Sequence, residues 1–90
     1  MLVWRRISGA GLVAELAVLS VLEPGGLLTV RQLAAQTQLS GFTTRTAVEF
    51  MHDRGMIVPG PGREKRWCIT DVGRATLAQA RHRRPGEDTR

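Results

Sequence analysis

The chain has 90 residues, 42% hydrophobic and 23% charged, which suits one small packed domain and excludes disorder as the default state. Lys and Arg number 13 against 8 Asp and Glu, a formal charge of +5, and every base except Lys65 is an arginine. That balance points to a polyanionic partner, nucleic acid before an anionic membrane, and the length leaves little room for an enzyme pocket with a lid.

Residues 1–11 read as an N-terminal arm that includes Trp4, Arg5 and Arg6 and is set off by Gly9 and Gly11. Residues 12–22 read as a first helix. Leu12, Leu16 and Leu19 run down one side, and Val13, Ala17, Val18 and Val21 fill much of the rest. Such a helix is expected to be covered on more than one side. It is too short to span a bilayer and contains Glu15. It ends at Pro24-Gly25-Gly26 without a small-residue cleavage site, so neither a membrane span nor a secretion signal is expected.

Thr29-Val30-Arg31-Gln32 has the pattern of a capping box opening a second helix over 30–37, with Leu33 and Ala34 inward. A turn follows at Thr37-Gln38, plugged by a buried Leu39. Ser40 is the expected cap of a third helix over 41–54, ended by Gly55. Its period places Thr44, Ala47, Val48 and Met51 on one face and Phe42, Arg45, Thr46, Glu49 and Asp53 on the other. Met56-Ile57-Val58 predicts a strand, 59–65 a loop, and Arg66–Ile69 a return strand with Trp67 and Ile69 facing the core. Thr70 predicts the cap of a last helix over 71–82, packing through Val72, Thr76, Leu77 and Ala80. Residues 84–90 are expected to be a frayed tail. The predicted division is therefore an arm over 1–11, one domain over 12–83 and a tail over 84–90.

Helix, helix, turn, helix, strand, basic loop, strand, helix is the order of a winged helix-turn-helix. The expected class is α+β and mostly helical, with a three-helix core, a two-stranded wing and a C-terminal helix. The segment TVRQLAAQTQLSGFTTRTAVEFMHDRGMIVPGPGREKRWCITDVGRATL resembles the DNA-binding core of MarR-like and related bacterial transcriptional regulators. Its marks are the Thr29 cap, Leu33-Ala34, Leu39-Ser40, Thr43, Val48, Gly55-Met56-Ile57 and Ile69-Thr70 with Gly73. The likeness covers about residues 12–80. It departs at Gln38, where those regulators commonly have Gly, and at Thr46, where they often carry Arg, with Arg45 one position earlier. The long helices that usually dimerise MarR-type proteins have no counterpart in it.

A recognition helix enters the major groove by its N-terminal half, which here presents Phe42, Thr43, Arg45 and Thr46. Arg45 can fork onto guanine or stand in solvent paired with Glu49, which in turn can orient Arg45, accept from cytosine or limit insertion. Phe42 can touch a thymine methyl or fold back onto the wing or turn, and Thr43 can cap locally or meet a phosphate. Arg63, Lys65 and Arg66 of the wing, at 59–66, suit phosphates or the minor groove, and Arg31 at the start of the second helix is a phosphate candidate. Thr29 and Ser40, at helix starts, complete the candidate DNA-contact set. From 28 to 66 the bases are Arg31, Arg45, Arg54, Arg63, Lys65 and Arg66, against Glu49, Asp53 and Glu64.

Elsewhere the residues read plainly. Trp67 is expected in the core, Cys68 is a small strand residue before it is a thiol sensor, and His52 and His82 lie at the surface. The single cysteine excludes an internal disulfide, and the two histidines have no zinc-ligand spacing. Gly60 and Gly62 alternate with prolines and form no phosphate cradle, and four aromatics without tyrosine give no stacking platform for single strands. The expectation is a cytoplasmic regulator of transcription, not an enzyme, needing no cofactor or metal. It would bind double-stranded DNA as a homodimeric repressor, with an unknown effector and binding that weakens steeply with salt. Two other readings stay open: an accessory DNA-binding protein of a mobile element, and a winged-helix module that binds protein instead of DNA.

Overall fold

The structure, a computed structural model, describes residues 13–82; the expected arm, the tail and the cluster continuing through Arg83 and Arg84 lie outside the described residues. Helix α1 occupies 13–22, α2 Val30–Thr37 and α3 Gly41–Asp53. Strands β1 (Ile57–Pro59) and β2 (Trp67–Ile69) follow, and α4 runs over Asp71–His82. This is the winged helix-turn-helix expected from the sequence. Side chains from every element meet in one core, with Val18, Leu19 and Leu22 from α1, Leu33 from α2, Val48 and Met51 from α3, Ile57 and Trp67 from the strands and Leu77 from α4.

The α2 start is the expected capping box. The Gln32 N–H donates to Thr29 Oγ1 at 3.1 Å, and the Thr29 N–H donates to Gln32 Oε1 at 2.9 Å. Leu28 before the cap and Leu33 in the next turn both join the core, the arrangement of a hydrophobic staple. Leu33 is fully buried, whereas Ala34 and the expected plug Leu39 are half-buried. Both sit at the rim of the packing, where the turn at Gln38 leaves one side open.

Helix α3 buries Thr44, Ala47, Val48 and Met51, the face its period predicts. The Thr44 hydroxyl donates to the Ser40 carbonyl at 2.8 Å, so this buried polar group is satisfied within its own helix. The helix ends at Asp53, one residue short of the expected 54, because the chain turns at Gly55 with φ 77°. Apolar α1 buries Ala14, Val18, Leu19 and Leu22, but Val13 stays 67% exposed, so among the described residues it is not covered all round.

Both strands begin one residue later than expected. β1 is 57–59 instead of 56–58 and includes Pro59, and β2 is 67–69 instead of 66–69. Pro59 is tolerated because the cross-strand bonds flank it: Thr70 N–H donates to the Met56 carbonyl, and Gly60 N–H donates to the Arg66 carbonyl at 2.7 Å. The alternation of an antiparallel ladder therefore turns position 59 away from β2, where a missing N–H costs nothing. The register pairs Ile57 with Ile69, Val58 with Cys68 and Pro59 with Trp67. On its other side β2 bridges to Leu28, a pairing the sequence reading did not foresee.

Thr70 caps α4 as expected, its hydroxyl accepting from Gly73 N–H at 3.1 Å and donating to the Gly55 carbonyl at 2.6 Å. Leu77 is buried and Thr76 and Ala80 half-buried, but Val72 is 52% exposed, which corrects its place on the packing face. Gly73 takes that place. A Cβ there would lie 2.3 Å from the Met56 carbonyl oxygen, so α4 approaches the strand closely only through a residue without a side chain. One helical step of 100° then turns Val72 outward.

Candidate nucleic-acid interface

Burying one face of α3 commits the other to solvent. Phe42 is 78% exposed, and Thr43, Arg45, Thr46 and Glu49 are exposed with it. At the helix start the Ser40 hydroxyl accepts from Thr43 N–H at 3.0 Å and donates to Thr43 Oγ1 at 2.9 Å. Thr43 is therefore the cap's partner, and its own hydroxyl proton remains free to donate. At that exposure Phe42 is not covered by the wing or the turn. An aromatic this exposed on a helix that is otherwise well packed is an available apolar contact.

A cleft of about 620 Å³ opens between α2, α3 and the wing. Thr29 and Arg31 line it from the start of α2, Arg45, Glu49 and His52 from α3, and Glu64, Lys65 and Trp67 from the wing side. Thr29, Arg31, Arg45, Glu49 and Lys65 of the predicted set thus come together on one surface. Ser40, Phe42, Thr43 and Thr46 lie along α3 outside the cleft lining, and Arg63 and Arg66 lie exposed on the wing.

Among the described residues Arg45 and Glu49 form no ion pair, and Arg45 is exposed. Of the wing bases, Arg66 is paired with Glu64 at 2.9 Å, with both side chains largely solvated. A pair so exposed holds together weakly and can be exchanged for a stronger anion. Lys65 stands over the Trp67 ring, Nζ 5.7 Å from its centroid. Arg81 is paired with Glu23 at 2.9 Å, so this member of the C-terminal basic cluster ties α4 to the end of α1.

His52, Glu64 and Trp67 enter the cleft although the sequence reading assigned them no part in it. His52 follows Arg45 and Glu49 at helical spacing, so the same period that grouped those two also carries it. Its ring meets the Trp67 ring edge-on, with centroids 5.0 Å apart and planes at 63°. Trp67 is in the core as expected, and its edge reaches the cleft only because the wing folds back beside α3. No sequence spacing reports that approach.

No protein-family model matches the chain, and no curated protein matches it in sequence. Solved structures do. A MarR family transcriptional regulator from Silicibacter pomeroyi DSS superposes with a TM-score of 0.68 at 32% identity, over 73% of this chain and 45% of that one. A MarR family transcriptional regulator from Silicibacter pomeroyi DSS-3 gives 0.67 at 27% identity, over 78% and 54%. A MarR family protein from Bacillus stearothermophilus gives 0.65 at 18% identity, over 86% and 62%, a likeness of fold. The chain spans about half the length of the first two.

Proposed function

We infer, from the premise that the described residues carry a MarR-like winged-helix fold, that the chain binds double-stranded DNA and regulates transcription. Helix α3 enters the major groove by its N-terminal half, where Arg45 reads a base and Phe42 and Thr46 flank it. Arg31 and the wing bases Arg63, Lys65 and Arg66 take phosphates on either side, helped by the cap residues Thr29, Ser40 and Thr43. The observation that carries this reading is the juxtaposition of Arg31, Arg45 and Lys65, from three different elements, around one open cleft beside an exposed helix face. Three bases against Glu49 and Glu64 leave this face net positive, and Arg45 has no ion-pair partner among the described residues, which suits a duplex.

In this reading the chain acts in the cytoplasm as a homodimeric repressor, occluding an operator. The apolar helix α1, with Val13 left exposed, supports association of two copies. Selecting bound duplexes from a random pool tests the whole reading. The expected product is an inverted repeat with half-sites about 10 base pairs apart, centre to centre. Repeated with Arg45→Ala, the selection is expected to lose preference at one position per half-site, a loss of about 1–3 kcal/mol of discrimination. A pool that returns without enrichment sinks the reading. An unchanged motif with Arg45→Ala sinks the assignment of Arg45.

A further inference from the structure

We propose that Trp67 is a positioning residue for the interface: its indole face holds the Lys65 ammonium in the cleft, at a set place relative to Arg45. The proposal deepens the DNA-binding reading and rests on it. Three observations converge on this residue. Its backbone is held by a reciprocal pair of bonds to Leu28, with Trp67 N–H donating to the Leu28 carbonyl at 2.7 Å and Leu28 N–H donating back to the Trp67 carbonyl at 3.1 Å, while Pro59 faces it across the ladder on the other side. The residue is 5% exposed, and its ring meets the His52 ring of α3 edge-on at 5.0 Å. Lys65, two residues earlier, places its Nζ 5.7 Å from the centroid, within the range where a cation is attracted to an aromatic face.

The fourth observation separates positioning from simple packing. Among the described residues, Trp67 Nε1 is buried and has no hydrogen-bond acceptor. A stranded donor is a cost that a phenylalanine in the same place would avoid. What indole supplies beyond apolar volume is the larger, more electron-rich face, the best of the aromatic partners for an ammonium. A lysine carries much side-chain rotamer entropy, so holding its head beforehand leaves less to be lost when a phosphate arrives. The His52 contact ties the same ring to the helix that carries Arg45, so the wing cation and the base reader share one reference point.

The test is a double-mutant cycle on duplex affinity, with thermal melts alongside. Trp67→Phe is expected to keep a cooperative melt yet bind duplex about two- to five-fold more weakly. In a Lys65→Ala background the same substitution is expected to leave affinity unchanged. Equal losses in both backgrounds, or no loss in either, overturn the positioning role. In the folded wild type, the Lys65 ε protons are expected to show an upfield ring-current shift. Random-coil shifts there overturn the proposal without recourse to any variant. A wild type that binds no duplex at all overturns the DNA reading and the role built on it. Failed coupling in a protein that does bind overturns the positioning role alone.

Discussion

At the scale of single residues, Gln38 and Gly73 carry backbone constraints of opposite kinds. Gln38 adopts the left-handed conformation, φ 63° and ψ 27°, with its N–H donating to the Ala34 carbonyl at 2.8 Å. A side chain there meets the following backbone, a cost of about 1 kcal/mol that glycine escapes. Gln38→Gly is accordingly expected to stabilise the fold by about 0.5–1 kcal/mol, read as a higher urea midpoint with an unchanged slope. Gly73 shows the opposite constraint, since close approach and not a left-handed φ reserves the place for a residue without Cβ. Neither conformation is visible in hydropathy patterning. The Gln38 departure from the MarR-like pattern was legible, but its consequence, a strained turn that keeps its geometry, needed the backbone angles.

At the scale of elements, local chemistry set most of the boundaries. The α2 capping box and the Ser40 and Thr70 caps each use a hydroxyl at the position the sequence assigns to it. Removing the hydroxyl with Thr29→Ala leaves the Gln32 N–H without its capping acceptor and frees the start of α2. It is expected to cost about 1 kcal/mol in chemical denaturation. The two faces of α3 were equally legible, because a period of 3.6 sorts Thr44, Ala47, Val48 and Met51 from Phe42, Arg45 and Thr46 without knowledge of the partner. The strands were placed less well. Three residues carry too little alternation to fix an edge, and the rule that keeps proline out of strands fails where ladder bonds flank it.

At the scale of the molecule, α1 gives Ala14, Val18, Leu19 and Leu22 to the shared core, and it brings one acidic group with it. Glu15 is partly buried, and desolvation raises its carboxyl pKa above the ordinary value, with the positive charge of Arg54 pulling the other way to a smaller extent. A raised folded-state pKa means that the protonated form is favoured by folding. The contribution of Glu15 is most favourable below the unfolded value of about 4.3 and is lost as pH rises through the folded pKa. Glu15→Gln is therefore expected to raise the melting midpoint at pH 7, with the gain shrinking towards zero as pH falls below the ordinary carboxylate range. A gain independent of pH would show that Glu15 is not the group responsible. Among the described residues no helix is long and apolar enough to cross a membrane, and no group of three or more His, Cys, Asp or Glu side chains could hold a metal ion.

The sequence by itself determined the element order, the caps and the buried face of α3, because these follow from interactions within one or two turns. It also placed Arg45 and Glu49 on one exposed face and Lys65 on the wing. Only the tertiary structure decided that Arg31, Arg45 and Lys65 surround one cleft, that Trp67 and His52 meet at its edge, and that Leu28 pairs with β2. It also decided that Gly73, and not Val72, faces the strand. Those outcomes depend on how distant segments pack, and the closeness of two surfaces is set by volumes and backbone contacts that no local period records.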